Sequence, residues 1–177
     1  LYIVEEVNLF QVWVYLLLLN MFKKKDTIYA LSTPPGKSAI AVVRVSGKKA
    51  FNFVNKISSS MPKTPNKSTL NTLITPEGET IDQTITTFFK APKSYTGEDV
   101  IEISFHGGSA VINKFIKTFK KFNGVRLAEP GEFTRRSFEN NKLDLIQAEA
   151  IIDLVNSETE LQRKQAYNHI SGEFSLV

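Results

Sequence analysis

The sequence predicts an α+β protein in which a mixed-sheet domain is followed by the beginning of an all-α helical domain. As far as Phe138, short runs of β-branched and apolar residues alternate with turns that contain Gly and Pro. From Leu145 to Val155, apolar residues instead recur at the spacing of a helix. We therefore predict one domain at residues 21–139 and the start of a second at residues 140–177.

The elements of the first domain follow from local patterns. Small and β-branched residues bounded by turns predict a buried strand at Ala39–Val45, and apolar residues on one helical face predict a helix at Lys48–Ile57. The lysine- and serine-rich segment Ser58–Thr69 is predicted to be a loose link. The remaining predictions, in chain order, are strands at Leu70–Thr75 and Ile81–Phe89 around a hairpin turn, a strand at Asp99–Ser104, a helix containing Ile112–Phe119, and a strand at Val125–Ala128.

The first twenty residues differ from the rest of the sequence. Phe10–Leu19 is strongly apolar but has half of the roughly 20 residues that a membrane-spanning helix needs. Glu5 and Glu6 precede it, whereas a signal peptide begins with a basic region. We expect residues 1–20 to be a non-native upstream extension, with Met21 as the true start and no contact with a membrane. The alternative is a membrane anchor.

Charge is distributed unevenly along the chain. The net charge is +4, but residues 21–141 carry 19 basic and 10 acidic side chains, and residues 142–177 carry 3 basic and 6 acidic ones. A basic first domain suits an anionic ligand, such as a polyglutamylated cofactor or a nucleic acid backbone. The alternative is a solvated, lysine-rich surface.

Metal and thiol chemistry are not expected in this chain. It has no cysteine, which excludes disulfides, thiolate metal sites and thiol catalysis within it. The two histidines, His106 and His169, are far apart in sequence, so we predict no metal site.

The segment Pro34–Ser38 imitates a phosphate-binding loop, because it ends in Gly-Lys-Ser. Such a loop also needs a glycine five residues before Gly36, where this chain has Leu31. No clear strand leads into the segment. We therefore reject a nucleotide site here and interpret the segment as a rigid turn ahead of the strand that carries Arg44.

Two charged residues lie in strands that are otherwise apolar. Arg44 is costly to place there unless its guanidinium meets a carboxylate or an anionic ligand; an arginine that reaches water is the alternative. Glu102 points away from the face that Ile101 and Ile103 share. Its carboxylate could accept paired N–H bonds from a heterocycle of the pterin type, or simply lie on an exposed face.

A polar, charged hinge separates the two predicted domains. Pro130-Gly131-Glu132 is typical of a helix start, and Asp144 could cap the long helix that follows. Lys142 comes directly after the turn Asn140-Asn141. Ordinary capping and surface pairing explain these residues equally well on pattern alone.

Three segments closely resemble the MnmE (TrmE) family of tRNA modification GTPases. They are DTIYALSTPPGKSAIAVVRVSG (Asp26–Gly47), YTGEDVIEISFHGG (Tyr95–Gly108) and LAEPGEFTRRSFENNKLDLIQAEAIIDLV (Leu127–Val155). The resemblance covers nearly everything from Asp26 onward. It implies that residues 21–139 form a tetrahydrofolate-binding and dimerisation domain, similar to the folate-binding part of aminomethyltransferases.

The resemblance also implies the site residues. In the family, folate is contacted by the arginine of AVVRVSG, the second glutamate of GEDVIE and the lysine of NNKLDL. These positions are Arg44, Glu102 and Lys142 in this chain. The implied cofactor is 5-formyl- or 5,10-methylene-tetrahydrofolate, and no catalytic residue is expected here.

The family's whole protein is larger than this sequence. Its helical domain carries an inserted Ras-like GTPase domain, which would hold GTP, magnesium and potassium, so we expect this chain alone not to hydrolyse GTP. By resemblance, the whole protein is a cytoplasmic homodimer. With the FAD-bearing partner MnmG, it modifies carbon 5 of the wobble uridine of certain tRNAs, using a one-carbon unit from folate.

Two other functions remain open. One is a stand-alone aminomethyltransferase-like folate enzyme, which the helix-rich segment DLIQAEAIIDLV (Asp144–Val155) argues against. The other is a pure dimerisation module without folate binding, which the presence of Arg44, Glu102 and Lys142 argues against.

Overall fold

A computed structural model describes residues 26–172 of the chain. Within that range, six strands and five helices follow one another. The strands are β1 (Thr27–Leu31), β2 (Ser38–Ser46), β3 (Ser68–Ile74), β4 (Thr80–Phe89), β5 (Val100–Gly107) and β6 (Val125–Leu127). The helices are α1 (Ala50–Asn55), α2 (Ser109–Phe119), α3 (Glu132–Glu139), α4 (Leu145–Val155) and α5 (Glu160–Ser171).

The six strands form one sheet in the order β3-β4-β5-β2-β1-β6. β1 and β6 are parallel, and every other neighbouring pair is antiparallel, so the sheet is mixed. This confirms the predicted α+β class. Helices α1 and α2 cover one face, because their apolar sides complete the core with alternate residues of the central strands. The core includes Tyr29, Val43, Val45, Phe53, Val54, Ile101, Ile103, Phe115 and Phe119.

The second face of the sheet, which points away from α1 and α2, is more polar. Arg44 and Glu102 lie on it, because each alternates with buried neighbours along its strand. Toward β3 and the far end of β5, Leu70 and Ile85 are exposed on this face. At the other end of β5, helix α3 and the loop before that strand approach the sheet.

Two predictions about the first domain are wrong. A strand, β1, does lead into the segment Pro34–Ser38. The link Ser58–Thr69 is not loose, because the buried side chain of Asn71 donates to the Ser58 hydroxyl at 2.9 Å and accepts from the Ser60 amide at 3.2 Å. These bonds join the link to β3.

The helical part consists of two helices joined by a short turn. Asp144 caps α4 as predicted, since it accepts from the Gln147 amide while the Gln147 side chain accepts from the Asp144 amide. The Gln147 side chain also donates to the Ile170 carbonyl at 3.0 Å. The start of α4 therefore lies beside the end of α5, so the two helices are antiparallel.

No helix in residues 26–172 is long and apolar enough to cross a membrane. The predictions for residues 1–20 lie outside the described residues. The boundary at residues 139–140 stays a prediction.

Candidate functional site

Arg44 and Glu102 form an ion pair on the second face of the sheet. They lie directly opposite each other in the antiparallel pairing of β2 with β5. The Arg44 Nε atom donates to Glu102 Oε1 at 2.9 Å, and Nη2 approaches the same oxygen at 2.7 Å. The side chains are 25% and 30% exposed, so the pair is accessible to a small ligand. Because each charge is compensated by the other, both residues can lie in strands that are otherwise apolar.

Two aromatic rings flank the guanidinium of Arg44. Its Cζ atom lies 4.9 Å from the centre of the Tyr95 ring and 5.6 Å from that of Phe133. Both distances are in the range of cation–π attraction. Tyr95 precedes β5 in a polar loop, whereas Phe133 belongs to α3. The site therefore combines a charged pair with two flat apolar surfaces.

Helix α3 fixes the loop that carries Tyr95. The Tyr95 hydroxyl is hydrogen-bonded to the Thr134 hydroxyl at 3.0 Å, and the Ser137 hydroxyl donates to the Tyr95 carbonyl. At the end of the helix, the Asn140 side chain donates to the Thr96 carbonyl at 2.7 Å. Hydrogen bonds thus fix Tyr95 both at its side-chain hydroxyl and at its backbone carbonyl.

A cluster of charges, here called the ionic cluster, lies behind this loop. The carboxylate of Glu132 lies at the centre of the cluster, and this side chain is 1% exposed. Arg126 donates to both oxygens of Glu132, at 2.6 and 2.7 Å, and Arg136 donates to Oε1 at 2.9 Å. The same two arginines contact Asp26, and Arg136 also contacts Glu98 at 3.0 Å. The cluster joins the start of β1, β6, α3 and the Tyr95 loop.

Hydrogen bonds outweigh burial at Glu132. Burial alone would raise the pKa of this carboxyl, but the two arginines and the Glu129 amide lower the pKa to about 2. Hydrogen bonds from Arg126 to Glu132, with a smaller contribution from Asp26, also raise the pKa of the Arg126 guanidinium. Glu132 is therefore ionised at neutral pH. The charged hinge therefore contains buried ion pairs, in addition to capping and surface pairing.

Lys142 lies next to the Tyr95 loop, beyond the start of β5 at Val100. Its Cγ atom is 3.3 Å from the position that a Cβ would occupy at Gly97, and its amide donates to the Ser137 carbonyl at 2.8 Å. The structure brings Arg44 and Glu102 into direct contact. Lys142 is exposed on the same framework, in a concavity lined by Phe138 to Gln147 rather than by the pair.

The segment Gly36-Lys37-Ser38 does not have the geometry of a phosphate-binding loop. In such a loop the residues after the lysine open a helix. Here Ser38 begins β2 instead. The rejection of a nucleotide site therefore rests on Leu31 and on the start of β2 at Ser38. The expectation that no strand precedes the segment does not support it, because β1 lies there.

His106 and Asp82 form a second pair at the opposite end of β5. Asp82 accepts from the His106 amide at 2.8 Å and contacts its Nδ1 atom at 2.9 Å. Burial would raise the pKa of Asp82, but these bonds lower it. The imidazole is exposed beside Ile40, Leu70 and Ile85. Within residues 26–172, no group of three or more acidic or histidine side chains could hold a metal ion.

Comparison with known proteins identifies the family. A family profile described as the GTP-binding protein TrmE N-terminus matches residues 27–142, which is more than half of the chain. The chain belongs to the TrmE family. The matched region contains all six strands, helices α1 to α3, and the residues Arg44, Glu102 and Lys142.

Relatives of the TrmE chain are named tRNA modification GTPase MnmE. The relative from Phenylobacterium zucineum (strain HLK1) is 47% identical over 152 residues, which cover 86% of this chain and 34% of the relative. That from Endomicrobium trichonymphae is 47% identical over 154 residues, covering 87% and 33%. That from Thermotoga maritima is 43% identical over 147 residues, covering 83% and 32%. The TrmE chain therefore spans about a third of the length of these relatives.

Sequence reasoning missed three components of this TrmE site. Tyr95 and Phe133 flank Arg44, and Glu98 accepts from the Ser46 hydroxyl at 2.8 Å while it contacts Arg136. Tyr95 and Glu98 lie in a loop, where no periodicity indicates which way a side chain points. The nearby Pro92 and Gly97, which indicate a turn, were the one available signal.

Proposed function

We propose that this chain supplies the tetrahydrofolate-binding and dimerising part of a cytoplasmic tRNA modification GTPase. The observation that supports this function is the partly exposed Arg44–Glu102 pair, flanked by the ring of Tyr95, in a chain of the TrmE family. With a MnmG-like partner, the whole protein would modify carbon 5 of the wobble uridine of certain tRNAs. The names of the relatives support tRNA modification and GTPase activity, whereas the partner and the modified position follow from the resemblance alone.

The side chains at the pair match the donors and acceptors of a reduced pterin ring. Such a ring has an amino group and a ring N–H side by side, which a carboxylate can accept together. Glu102 uses Oε1 for Arg44, so Oε2 is the oxygen that we assign to the ligand. Arg44 orients the Glu102 carboxylate through its two contacts with Oε1. The folate, when bound, supplies the one-carbon unit.

Lys142 is assigned to the acidic part of the ligand. A lysine ammonium is a flexible point charge that suits the carboxylates of a glutamate tail. Its backbone is fixed by the bond to the Ser137 carbonyl, while its exposed side chain lies beside Gly97, in the loop ahead of β5. The proposal therefore orients the ligand with its ring toward Glu102 and its tail toward Lys142.

Calorimetry with 5-formyltetrahydrofolate tests the site. We expect the parent chain to bind, and Glu102→Gln to weaken binding by about 2–5 kcal/mol, as is usual when one partner of a charged contact is removed. Glu79→Gln, at the exposed turn between β3 and β4, is the matched control and should bind like the parent. Equal affinity of parent and Glu102→Gln would remove Glu102 from the site.

One observation favours a second candidate function. Arg44 and Glu102 satisfy each other's charges without any ligand, which is what a dimerisation module that binds no folate would also require. The same calorimetric experiment separates the two functions. A folded parent chain that binds no reduced folate would leave the dimerisation module as the function.

A further inference from the structure

Lysine and asparagine side chains line a concavity on the helix side of the sheet, opposite the Arg44–Glu102 pair. It has a volume of about 470 Å³ and lies between α1 and the turn that follows α2. The lining contains two cations, three amide side chains and one aromatic ring, with no carboxylate. These residues are Lys49, Asn52, Phe53, Asn55, Lys56 and Asn123.

The polar lining follows from the way α1 packs. Ala50, Phe53 and Val54 are buried in the core, so the remaining side of this short helix faces solvent. Lys49, Asn52 and Lys56 are spaced by three and then four residues, which places them along one exposed side. Two ammonium groups and amide donors are thereby directed to one concavity.

The ammonium group of Lys56 is positioned without being neutralised. Its Nζ atom lies 5.6 Å from the centre of the Phe53 ring and 5.4 Å from that of Phe122. Aromatic faces attract a cation but carry no net charge, so the charge remains available to an anion. Lys114 and Lys121 of α2 and its following turn differ, because each is paired with a carboxylate of the β3–β4 turn, at 2.5 and 2.7 Å.

No carboxylate of residues 26–172 lies within ion-pair distance of Lys49 or Lys56. The ion pairs of that part of the chain involve neither residue. Two unpaired ammonium groups beside amide donors match the charge and the acceptor oxygens of phosphate. An open concavity also admits a phosphate that belongs to a chain.

We propose that this concavity binds phosphates of an RNA backbone. RNA is chosen as the ligand because the proposed function is tRNA modification, and the inference rests on the proposed function in this respect. The proposed folate site lies on the other face of the sheet, so both sites can be occupied at once. A substitution in one site can therefore abolish binding there without affecting binding at the other. Lys49 and Lys56 would contact phosphate directly, whereas the rings of Phe53 and Phe122 would position Lys56.

Binding of an unmodified tRNA transcript, measured by fluorescence anisotropy at several KCl concentrations, tests the proposal. The double variant Lys49→Gln/Lys56→Gln should weaken binding about tenfold or more at low salt and reduce the slope of log K against log salt by about 2, because two phosphate contacts are lost. The matched control is Lys63→Gln/Lys67→Gln. It removes the same charge from exposed positions outside the concavity and should change affinity less than threefold.

Three results would overturn the proposal. The first is an equal loss of affinity in the two double variants, which would indicate attraction to net charge alone. The second is an unchanged salt slope in Lys49→Gln/Lys56→Gln, and the third is equally effective competition by polyglutamate. Calorimetry with 5-formyltetrahydrofolate on Lys49→Gln/Lys56→Gln should match the parent, which confirms that the variant is folded and that the folate site is separate.

Discussion

At the scale of single residues, the site depends on strand register. Arg44 and Glu102 belong to strands that are separated by more than fifty residues of chain, and they meet because β2 and β5 pair with these two positions opposite each other. A shift of one residue would turn either side chain into the core. The apolar residues on each side of the pair therefore fix the charged contact as firmly as its own hydrogen bonds do.

Tyr95→Leu should weaken folate binding by about twofold to fivefold, because a cation–π contact of this kind contributes about 0.5–1 kcal/mol and holds Arg44 in place. Calorimetry measures the change. Tyr95→Phe is the matched control, since it keeps the ring and removes the hydroxyl that contacts Thr134. It should bind folate like the parent. Unchanged affinity in Tyr95→Leu would show that the ring has no part in binding.

At the scale of elements, the ionic cluster holds α3 against the sheet. Glu132 neutralises two arginines that are largely removed from water, so its removal leaves both without their closest partner. Exposed pairs at the surface, such as Lys121 with Glu77, contribute far less because water screens them. The Glu132 carboxylate therefore acts together with the hydrogen bonds of Thr134, Ser137 and Asn140 in fixing α3 and the Tyr95 loop.

Glu132→Gln should lower the free energy of unfolding by about 3–5 kcal/mol at neutral pH, because it removes the buried carboxylate between two arginines and leaves them only the more exposed Asp26 and Glu98. Urea denaturation measures this value. Glu129→Gln, at a side chain 44% exposed, is the control and should cost less than about 1 kcal/mol. A loss no larger than that of the control would mean that the cluster is not important for stability.

The same carboxylate predicts a dependence of stability on pH. Its pKa falls from 4.5 to about 2 on folding, so its contribution is complete above pH 4.5 and is lost as the pH falls toward 2. The difference in unfolding free energy between the parent and Glu132→Gln should therefore shrink steadily across that window. A difference that stays constant would assign the effect of the substitution to packing instead of charge.

The Gly36-Lys37-Ser38 segment connects two strands, and this arrangement predicts that the chain does not bind GTP. No helix N-terminus follows the lysine to receive phosphates. Fluorescence titration with a labelled GTP analogue should show no saturable binding, and Lys37→Ala should give the same result as the parent. Saturable binding that Lys37→Ala abolishes would contradict this prediction.

The elements of this fold were largely predictable, whereas the ionic cluster was not. Runs of β-branched and apolar residues bounded by turn residues located β2 to β6, because such side chains pack well on the pleated surface of a sheet. β1 was missed because its five residues lie directly before a Pro- and Gly-containing turn and give a weak pattern. The contacts of Asp26 with Arg126 and Arg136 join residues at least 100 positions apart, and no local pattern contains the register that brings them together.

At the scale of the whole molecule, exposed apolar residues form two separate groups. One is on the second face of the sheet, where Ile40, Leu70 and Ile85 are 61%, 64% and 51% exposed. The other is on the helical pair, where Ile152 and Val155 are 59% and 80% exposed. Contiguous apolar surface of this kind is typical of contacts between proteins and of aggregation.

We expect the chain to form dimers through the sheet domain and also to aggregate through the helical pair. Light scattering at micromolar concentrations should detect a dimer, which Leu70→Glu/Ile85→Glu converts to a monomer because two charges would be buried at the interface. Ile152→Glu/Val155→Glu should reduce aggregation and keep the dimer. A monodisperse monomer of the parent would contradict the expected dimer, and a monomer produced by the helical variant would move the interface to the helices.

The ionic cluster has a consequence for how this domain is built into a longer polypeptide. Asp26, ahead of the first strand, contacts Arg136 in the last helix of the family match, so the chain enters and leaves the sheet domain at nearly the same place. Entry and exit points that adjoin allow a domain to be appended to, or carried within, a larger protein without a long connecting segment. Asp26 and Arg136 therefore mark one corner of the sheet, where the two ends of the family-matched region come together.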